Sequence, residues 1–434
     1  MKLLLISWYF PPHNDIGAVR TGRFAEYLHR SGHDVWVITG KREQGDQSLP
    51  CALPEERILR VAWFDVDRLS PTGSAGTPQS AAVSRSSAEM PLGDSGRLHA
   101  LRELASRHYA AAIRIPDRQI GWLSHLVRAG QKLHESEPFD VIYASGPSFT
   151  AFLGAARLSR RLGIPWFAEY RDPWSRDAYR HLPEWRGPID ALMERRTVRR
   201  AAGIVAVSEP WANIYRERFG KPAIAIYNGF DSIPDGDRNA AESASGGPLS
   251  IVYVGSLYGG LRDPAPLYEA IKLAGLGAQD LCVRFYGPGE EEVFPTATQS
   301  GVGGFLSVGK RVGFRESQEI QRRADVLLLL QAPVDPGNVP AKVFEYLGAA
   351  RPILGMGLDA GVPAQWINQR GAGLYTSDPG RIAAQLRVWA EAKKATGRLA
   401  SVPESARAGL SREEQFGRLV RFLESTLSRR NLEV

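Results

Sequence analysis

VLLLLQAPVDPGNVPAKVFEYLGAARPIL, residues Val326–Leu354, contains in one stretch the unit from which the rest of the chain is read. Val326–Leu330 is an unbroken apolar run, the pattern of a strand covered on both faces. A loop rich in Pro, Gly and Asn follows, then a helix from near Ala341 with Pro340 at its first turn, then a strand over Pro352–Gly355. Strand, loop, helix and strand in that order make the βαβ unit of a parallel sheet. The first turn of the helix offers free N–H groups and a positive dipole end, which together attract an anion. Lys342 adds a mobile positive charge there, and Glu345 lies three residues on, roughly on the same face. A cation for phosphate and a carboxylate for a ribose diol suit a nucleotide diphosphate. An ordinary surface Lys and Glu on a solvated helix is the equally weighted alternative.

The same alternation runs outward through the chain. Lys2–Ser7 reads as a strand, followed by a helix through Phe24, Tyr27 and Leu28, a stop at Gly32 and a second strand over Asp34–Thr39. Asp140–Ala144, Pro165–Glu169, Ile204–Val207 and Ile224–Tyr227 read as further strands, with a helix over Phe149–Leu162. Ser250–Val254 and Leu281–Tyr286 continue the pattern in the second half. The stretch near 70–95, rich in Ser, Gly, Ala and Pro, reads as a mobile insertion, and the polar stretch within 233–249 as a linker. Ser411–Leu427 closes the chain as a helix, with Ser411 and Glu414 in capping-box spacing and an apolar stripe of Phe416, Leu419, Val420, Leu423 and Leu427. The expected organisation is an α/β fold of two Rossmann-like domains facing each other across a cleft. Residues 1–232 form the first domain, 250–408 the second, and 409–434 a closing helical segment. Ligands of such sheets bind outside the carboxyl ends of the strands.

Composition narrows the partners. The chain has 434 residues and a formal net charge of +7, enough for two or three domains but too weakly and diffusely basic for nucleic acid. It suits a nucleotide diphosphate, a lipid pyrophosphate or an anionic membrane surface. Cys51 and Cys282 give no disulfide framework, which favours a reducing, cytoplasmic setting. MKLLLISWYFPP is too short and too interrupted for a signal peptide and reads as a buried strand. Arg195, Arg196, Arg199 and Arg200 share one face of a helix, open to the inner face of an anionic membrane or simply solvated. No metal site is expected: no HExxH occurs, no nucleophile elbow, and no Asp-x-Asp at a strand end suited to a metal–diphosphate clamp.

The residues Pro340, Ala341, Lys342, Val343, Phe344, Glu345 and Tyr346 match in order a motif of the retaining family-4 glycosyltransferases, which have the GT-B fold. Ile251–Ile271 resembles that family's first strand, Gly-rich loop and helix of the donor domain, and Arg284–Glu292, with Gly287, its next strand and glycine turn. Ala206–Tyr215 and Asn228–Asp231 resemble the end of its acceptor domain. The resemblance implies that Glu345 holds the ribose hydroxyls, that Gly255, Ser256 and Arg262 cradle the diphosphate, and that the base rests on Val312–Arg315. It implies that the loop carrying Gly17 closes under the donor phosphate, with Arg20 either at the cleft or an ordinary helix charge.

The chain departs from the pattern at Gly337, where many members carry a first glutamate that contacts the donor sugar. Asp335 and Asn338 are the neighbours left to supply contacts. Arg171 and Asp172 stand where many members have a His–Asp pair. Arginine does not give up its proton, so Asp172 either orients the acceptor or pairs with Arg171. Asp117 and Trp122 are further acceptor candidates, Trp122 more readily a packing residue.

With Lys342, Arg262 and Asp172 in catalytic roles, the implied activity is transfer of a sugar from a nucleotide-diphosphate sugar, a UDP-sugar by preference, with retention and no cofactor. The implied acceptor is a saccharide or lipid-linked saccharide of surface polysaccharide or glycolipid assembly. A sugar-nucleotide epimerase or hydrolase, or a catalytically silent glycan- or nucleotide-binding subunit, remain open on the same fold.

Overall fold

The computed structural model describes residues 1–69, 94–177, 182–231, 246–258, 260–332, 337 and 339–432. Most of the insertion near 70–95 and of the linker 233–249 therefore lies outside the described residues. The chain folds as two units: one takes the residues up to Tyr227 and again from Phe416 onward, the other Asn228–Gln415.

In the first unit seven parallel strands are β1 (Lys2–Ser7), β2 (Asp34–Gly40), β3 (Ile58–Val61), β4 (Val141–Gly146), β5 (Trp166–Tyr170), β6 (Gly203–Ala206) and β7 (Ala223–Ala225), ordered β3-β2-β1-β4-β5-β6-β7. Helices α1 (Ile16–Arg30), α2 (Asp94–Ile113), α3 (Leu123–Ser136), α4 (Thr150–Leu162), α5 (Arg186–Val198) and α6 (Glu209–Phe219) accompany them. Strand alternation sends Leu3 and Leu5 to one face and Leu4 and Ile6 to the other, and both faces are buried. That explains why β1 reads as a continuous apolar run rather than an alternating one.

In the second unit β8 (Leu249–Val254), β9 (Leu281–Tyr286), β10 (Leu306–Gly309), β11 (Val326–Leu330), β12 (Ile353–Met356) and β13 (Gly373–Tyr375) form a six-stranded parallel sheet ordered β10-β9-β8-β11-β12-β13. Its helices are α7 (Ala265–Ala274), α8 (Glu290–Gln299), α9 (Phe314–Arg323), α10 (Ala341–Gly348), α11 (Val362–Gln369), α12 (Pro379–Thr396) and α13 (Glu404–Arg407). Both sheets reverse strand order once, between β1 and β4 and between β8 and β11, and loops after those strands flank a crevice at the carboxyl edge.

The last helix, α14 (Arg412–Leu432), starts with a true capping box. The Ser411 hydroxyl accepts from the Glu414 N–H at 3.2 Å, and the Glu414 carboxylate accepts from the Ser411 N–H at 3.1 Å. Its residues Phe416, Leu419, Val420 and Leu423 are buried beside Phe24 and Leu28 in the first unit's core. Each side chain so buried stabilises by about 1.5–3 kcal/mol. At its head, the Arg412 N–H donates to the Phe230 carbonyl at 2.8 Å and the Phe230 N–H to Leu410 at 3.2 Å, so the start and end of the second unit lie side by side. No helix among the described residues is long and apolar enough to cross a membrane.

Three strands escape a reading by apolar runs: β3, β10 and β13 are edge or near-edge strands of three or four residues with mixed burial. Pro340 also sits one place earlier than expected. Its ψ of 139° leaves it outside the helix as N-cap rather than in the first turn.

Candidate functional site

In the second unit, the loops after β8 and β9 and the start of α10 converge at the switch point. Gly255, one residue past β8, has φ +140°, which L side chains rarely adopt. Its N–H donates to the Tyr286 carbonyl at 2.8 Å. Gly287, with φ +113°, packs so closely that a Cβ there would lie 2.8 Å from the Gly255 carbonyl oxygen. A Cβ on Gly255 itself would lie 1.9 Å from the Lys342 Nζ. Two glycines are therefore what admits the lysine tip to this corner.

Lys342 was expected as a mobile positive charge at the helix start, and the structure instead buries its tip. Its ammonium lies 4.5 Å from the centre of the Tyr253 ring. The nitrogen is buried, with no hydrogen-bond partner among the described residues. Burial first, and the nearby positive charge of Arg262 second, pull its pKa down to about 7 against the opposing pull of Glu345. A buried cation without a partner is costly unless something anionic arrives.

Arg262 is fixed over the same loop. Its guanidinium donates to the Ser256 carbonyl at 3.2 Å and stacks 4.4 Å from the Tyr258 ring. The Tyr253 hydroxyl donates to that carbonyl at 2.8 Å. One turn along α10 from Lys342, Glu345 accepts from the Gln321 amide at 3.3 Å, and Gln321 is buried on α9. Val312 is half-buried in the loop between β10 and α9. Asn338 and Asp335 lie outside the described residues, while Gly337 is buried.

Thus Gly255, Ser256, Arg262, Gly287 and Lys342 come together, and Glu345 stands one turn away. Tyr253 and Gln321 were missed. Neither carries a sequence signal, because one acts through its ring face and the other through a neighbour's carboxylate.

In the first unit, Arg171 occupies the corresponding switch point. Its guanidinium donates to the carbonyls of Gly146 (3.1 Å) and Pro147 (2.7 Å) and lies 5.5 Å from the Tyr9 ring centre. Gly17 is not in a loop. It lies inside α1, and a Cβ on it would fall 2.0 Å from the Arg171 guanidinium. Arg171 does not hydrogen-bond Asp172, which is exposed beside it at the end of β5.

Arg20 is neither a cleft cation nor an ordinary helix charge. It is buried, ion-paired to Glu169 at 2.8 Å, and donates to the carbonyls of Ile226 and Tyr227 at 2.9 Å each. Asp117 is spent on structure, accepting from the Thr150 N–H (3.0 Å) and from the Thr150 (2.7 Å) and Ser148 (2.9 Å) hydroxyls ahead of α4. Trp122 is fully buried against Trp8. An Asp-x-Asp pair, Asp65 and Asp67, does follow β3. Arg118 reaches Asp65 at 3.0 Å and Asp67 at 2.8 Å, and Arg114 reaches Asp67 at 2.6 Å, so its carboxylates are already engaged.

Comparison with known proteins adds the following. Residues 17–229 match the family model described as Glycosyl transferase 4-like domain. No curated protein matches the chain. Among solved structures, HepE (Alr3699) of Anabaena is 13% identical with TM-score 0.60, covering 98% of this chain and 100% of that one. A glycosyltransferase of Rickettsia africae is 11% identical with TM-score 0.59, covering 98% of each chain. Sucrose-phosphate synthase of Thermosynechococcus elongatus is 14% identical with TM-score 0.55, covering 100% of this chain and 98% of that one. At such identity these likenesses show the fold, two Rossmann-like units of the GT-B class. Residues 17–229 are thus similar to a glycosyltransferase 4-like domain, within a chain of that fold.

Proposed function

We propose that this chain moves a sugar from a nucleotide-diphosphate sugar to an acceptor hydroxyl with retention of configuration. A UDP-sugar is the favoured donor. The observation that carries the reading is the buried Lys342 ammonium, unpartnered among the described residues and aimed at Gly255 beside Arg262. Two neighbouring cations repel each other, and a diphosphate between them relieves that repulsion and supplies the missing acceptor atoms. As the glycosidic bond breaks, negative charge grows on the departing diphosphate, and cations already in place stabilise it without reorganising. In this reading Lys342 and Arg262 supply the charge that a metal supplies in other transferases, so the reaction needs none.

Glu345, oriented by Gln321, accepts from the ribose hydroxyls, and the base rests along Val312–Arg315. The preference for uridine draws on HepE, a structural neighbour solved with UDP and with UDP-glucose. Retention rests on the family motif Pro340–Tyr346, with the departing phosphate taking the acceptor proton. On the first unit, exposed Asp172 beside Arg171 orients the acceptor, a saccharide or lipid-linked saccharide handled on the cytoplasmic side of a membrane. With Gly337 in place of a carboxylate, other groups must hold the sugar hydroxyls.

A thermal-shift series of nucleotide sugars on the wild type and on Lys342→Ala tests the assignment. One nucleotide class stabilises the wild type and has little effect on the variant. Equal stabilisation of both proteins removes Lys342 from the donor site. Release of nucleotide diphosphate only when acceptor is present marks transfer, whereas isomerised sugar without acceptor marks epimerisation and overturns it.

A further inference from the structure

On the first unit, α4 and the C-terminal end of α5 enclose a groove of about 320 Å³. Five arginines line it: Arg157 and Arg160 from α4, and Arg196, Arg199 and Arg200 from the end of α5 and the turn after it. Its apolar floor includes Leu153 and Ala156. The basic face read along one helix is therefore half of a two-helix feature, and Arg195 is not part of its lining.

Arginine at a helix C-terminus ordinarily offsets the dipole there. Two helix ends supply about one negative charge between them, against five full positive charges. Among the described residues none of the five arginines forms an ion pair, although Arg186, Arg218 and Glu194 nearby on the same unit are paired. All five are exposed, so their guanidinium forks are open to bidentate phosphate contacts. The outward face of α5 continues from Arg196 and Arg199 to Leu192 and Ile189, one and two turns back, which are 50% and 40% exposed. Open cations beside exposed aliphatic side chains match the layering of a lipid surface, phosphate outermost and hydrocarbon beneath.

We propose that this groove seats phosphate headgroups of an anionic lipid surface, with Leu192 and Ile189 entering the interface. The site is separate from the donor corner, and its test does not depend on transfer.

The experiment is co-sedimentation of the full chain with vesicles of phosphatidylcholine alone or mixed with phosphatidylglycerol. The proteins compared are the wild type, Arg157→Ala/Arg196→Ala/Arg199→Ala, and a control of equal charge loss, Arg102→Ala/Arg107→Ala/Arg128→Ala. Each basic residue near such a surface changes binding about fivefold. The groove variant is therefore expected to bind mixed vesicles on the order of a hundredfold more weakly. The control stays within about tenfold of wild type, and none binds phosphatidylcholine alone. Equal losses in the two variants reduce the effect to net charge and overturn the site. Inorganic pyrophosphate bound by calorimetry in the groove, without vesicle binding, overturns the lipid source. Thermal unfolding of each variant, with and without UDP-glucose, separates lost groove function from lost fold or lost donor binding.

Discussion

In the role proposed for it, Lys342 makes donor binding a proton-coupled event. With a pKa near 7, the buried amine is mostly charged at pH 6 and mostly neutral at pH 8.5. A diphosphate engages the ammonium and not the amine. The charged fraction falls from about nine-tenths to about one-thirtieth over that range, so affinity should fall about thirtyfold, about 2 kcal/mol. UDP-glucose is a suitable ligand, because its diphosphate is esterified at both ends and does not titrate there. Calorimetry at pH 8 in buffers of different ionisation enthalpy should show close to one proton taken up per donor bound.

The sign for stability runs the other way. Between pH 7 and the ordinary lysine value, the unfolded chain carries a proton that the folded one lacks. Folding of the ligand-free protein should therefore strengthen as pH rises through that window. Lys342→Met removes the unsatisfied buried nitrogen. That variant should be more stable without ligand by about 1–3 kcal/mol, lose its response to UDP-glucose, and show no pH dependence of what binding remains. Affinity of the wild type that stays flat from pH 6 to 8.5, without proton uptake, refutes the reasoning.

Two other outcomes follow from the geometry. Gly255→Ala places a Cβ 1.9 Å from the Lys342 Nζ at a φ of +140°. It should cost about 1–3 kcal/mol in thermal or denaturant unfolding and abolish the UDP-glucose shift. Burial works to raise the pKa of Glu169, but Arg20, Ser145 and Tyr143 together outweigh it and hold the carboxylate below its usual range. Its contribution to stability is therefore present above the unfolded carboxylate value and lost as pH falls further through the folded one. Glu169→Gln leaves Arg20 buried without its counter-charge and should cost about 3–5 kcal/mol in urea unfolding at pH 7.

The central strands were legible because β1, β11 and their neighbours are buried on both faces, which leaves their apolar runs unbroken. The edge strands β3, β10 and β13 were not, since half-covered segments of three or four residues carry too little pattern to stand out from loops. The motif around Lys342 was legible as residue types, and its chemistry was not. What turns a surface lysine into a buried, depressed one is Gly255, which arrives from a strand nearly ninety positions earlier and is one of 44 glycines. Arg20 was misread for the same reason: Glu169, Ile226 and Tyr227 are all distant in sequence. Pairings made by the fold leave no local periodicity.

The Phe230–Ser411 bridge has a consequence for how this chain can change. Because the second unit begins and ends at one stitched point, the first unit meets its covalent connection much as it would meet a short surface loop. Closing the chain costs little however long the intervening segment is, so the second unit can be exchanged as a cassette. The final helix cannot be part of such a trade. It carries Phe416, Leu419 and Leu423 home to the first core, and a graft that ends before them hands its recipient an unfinished protein.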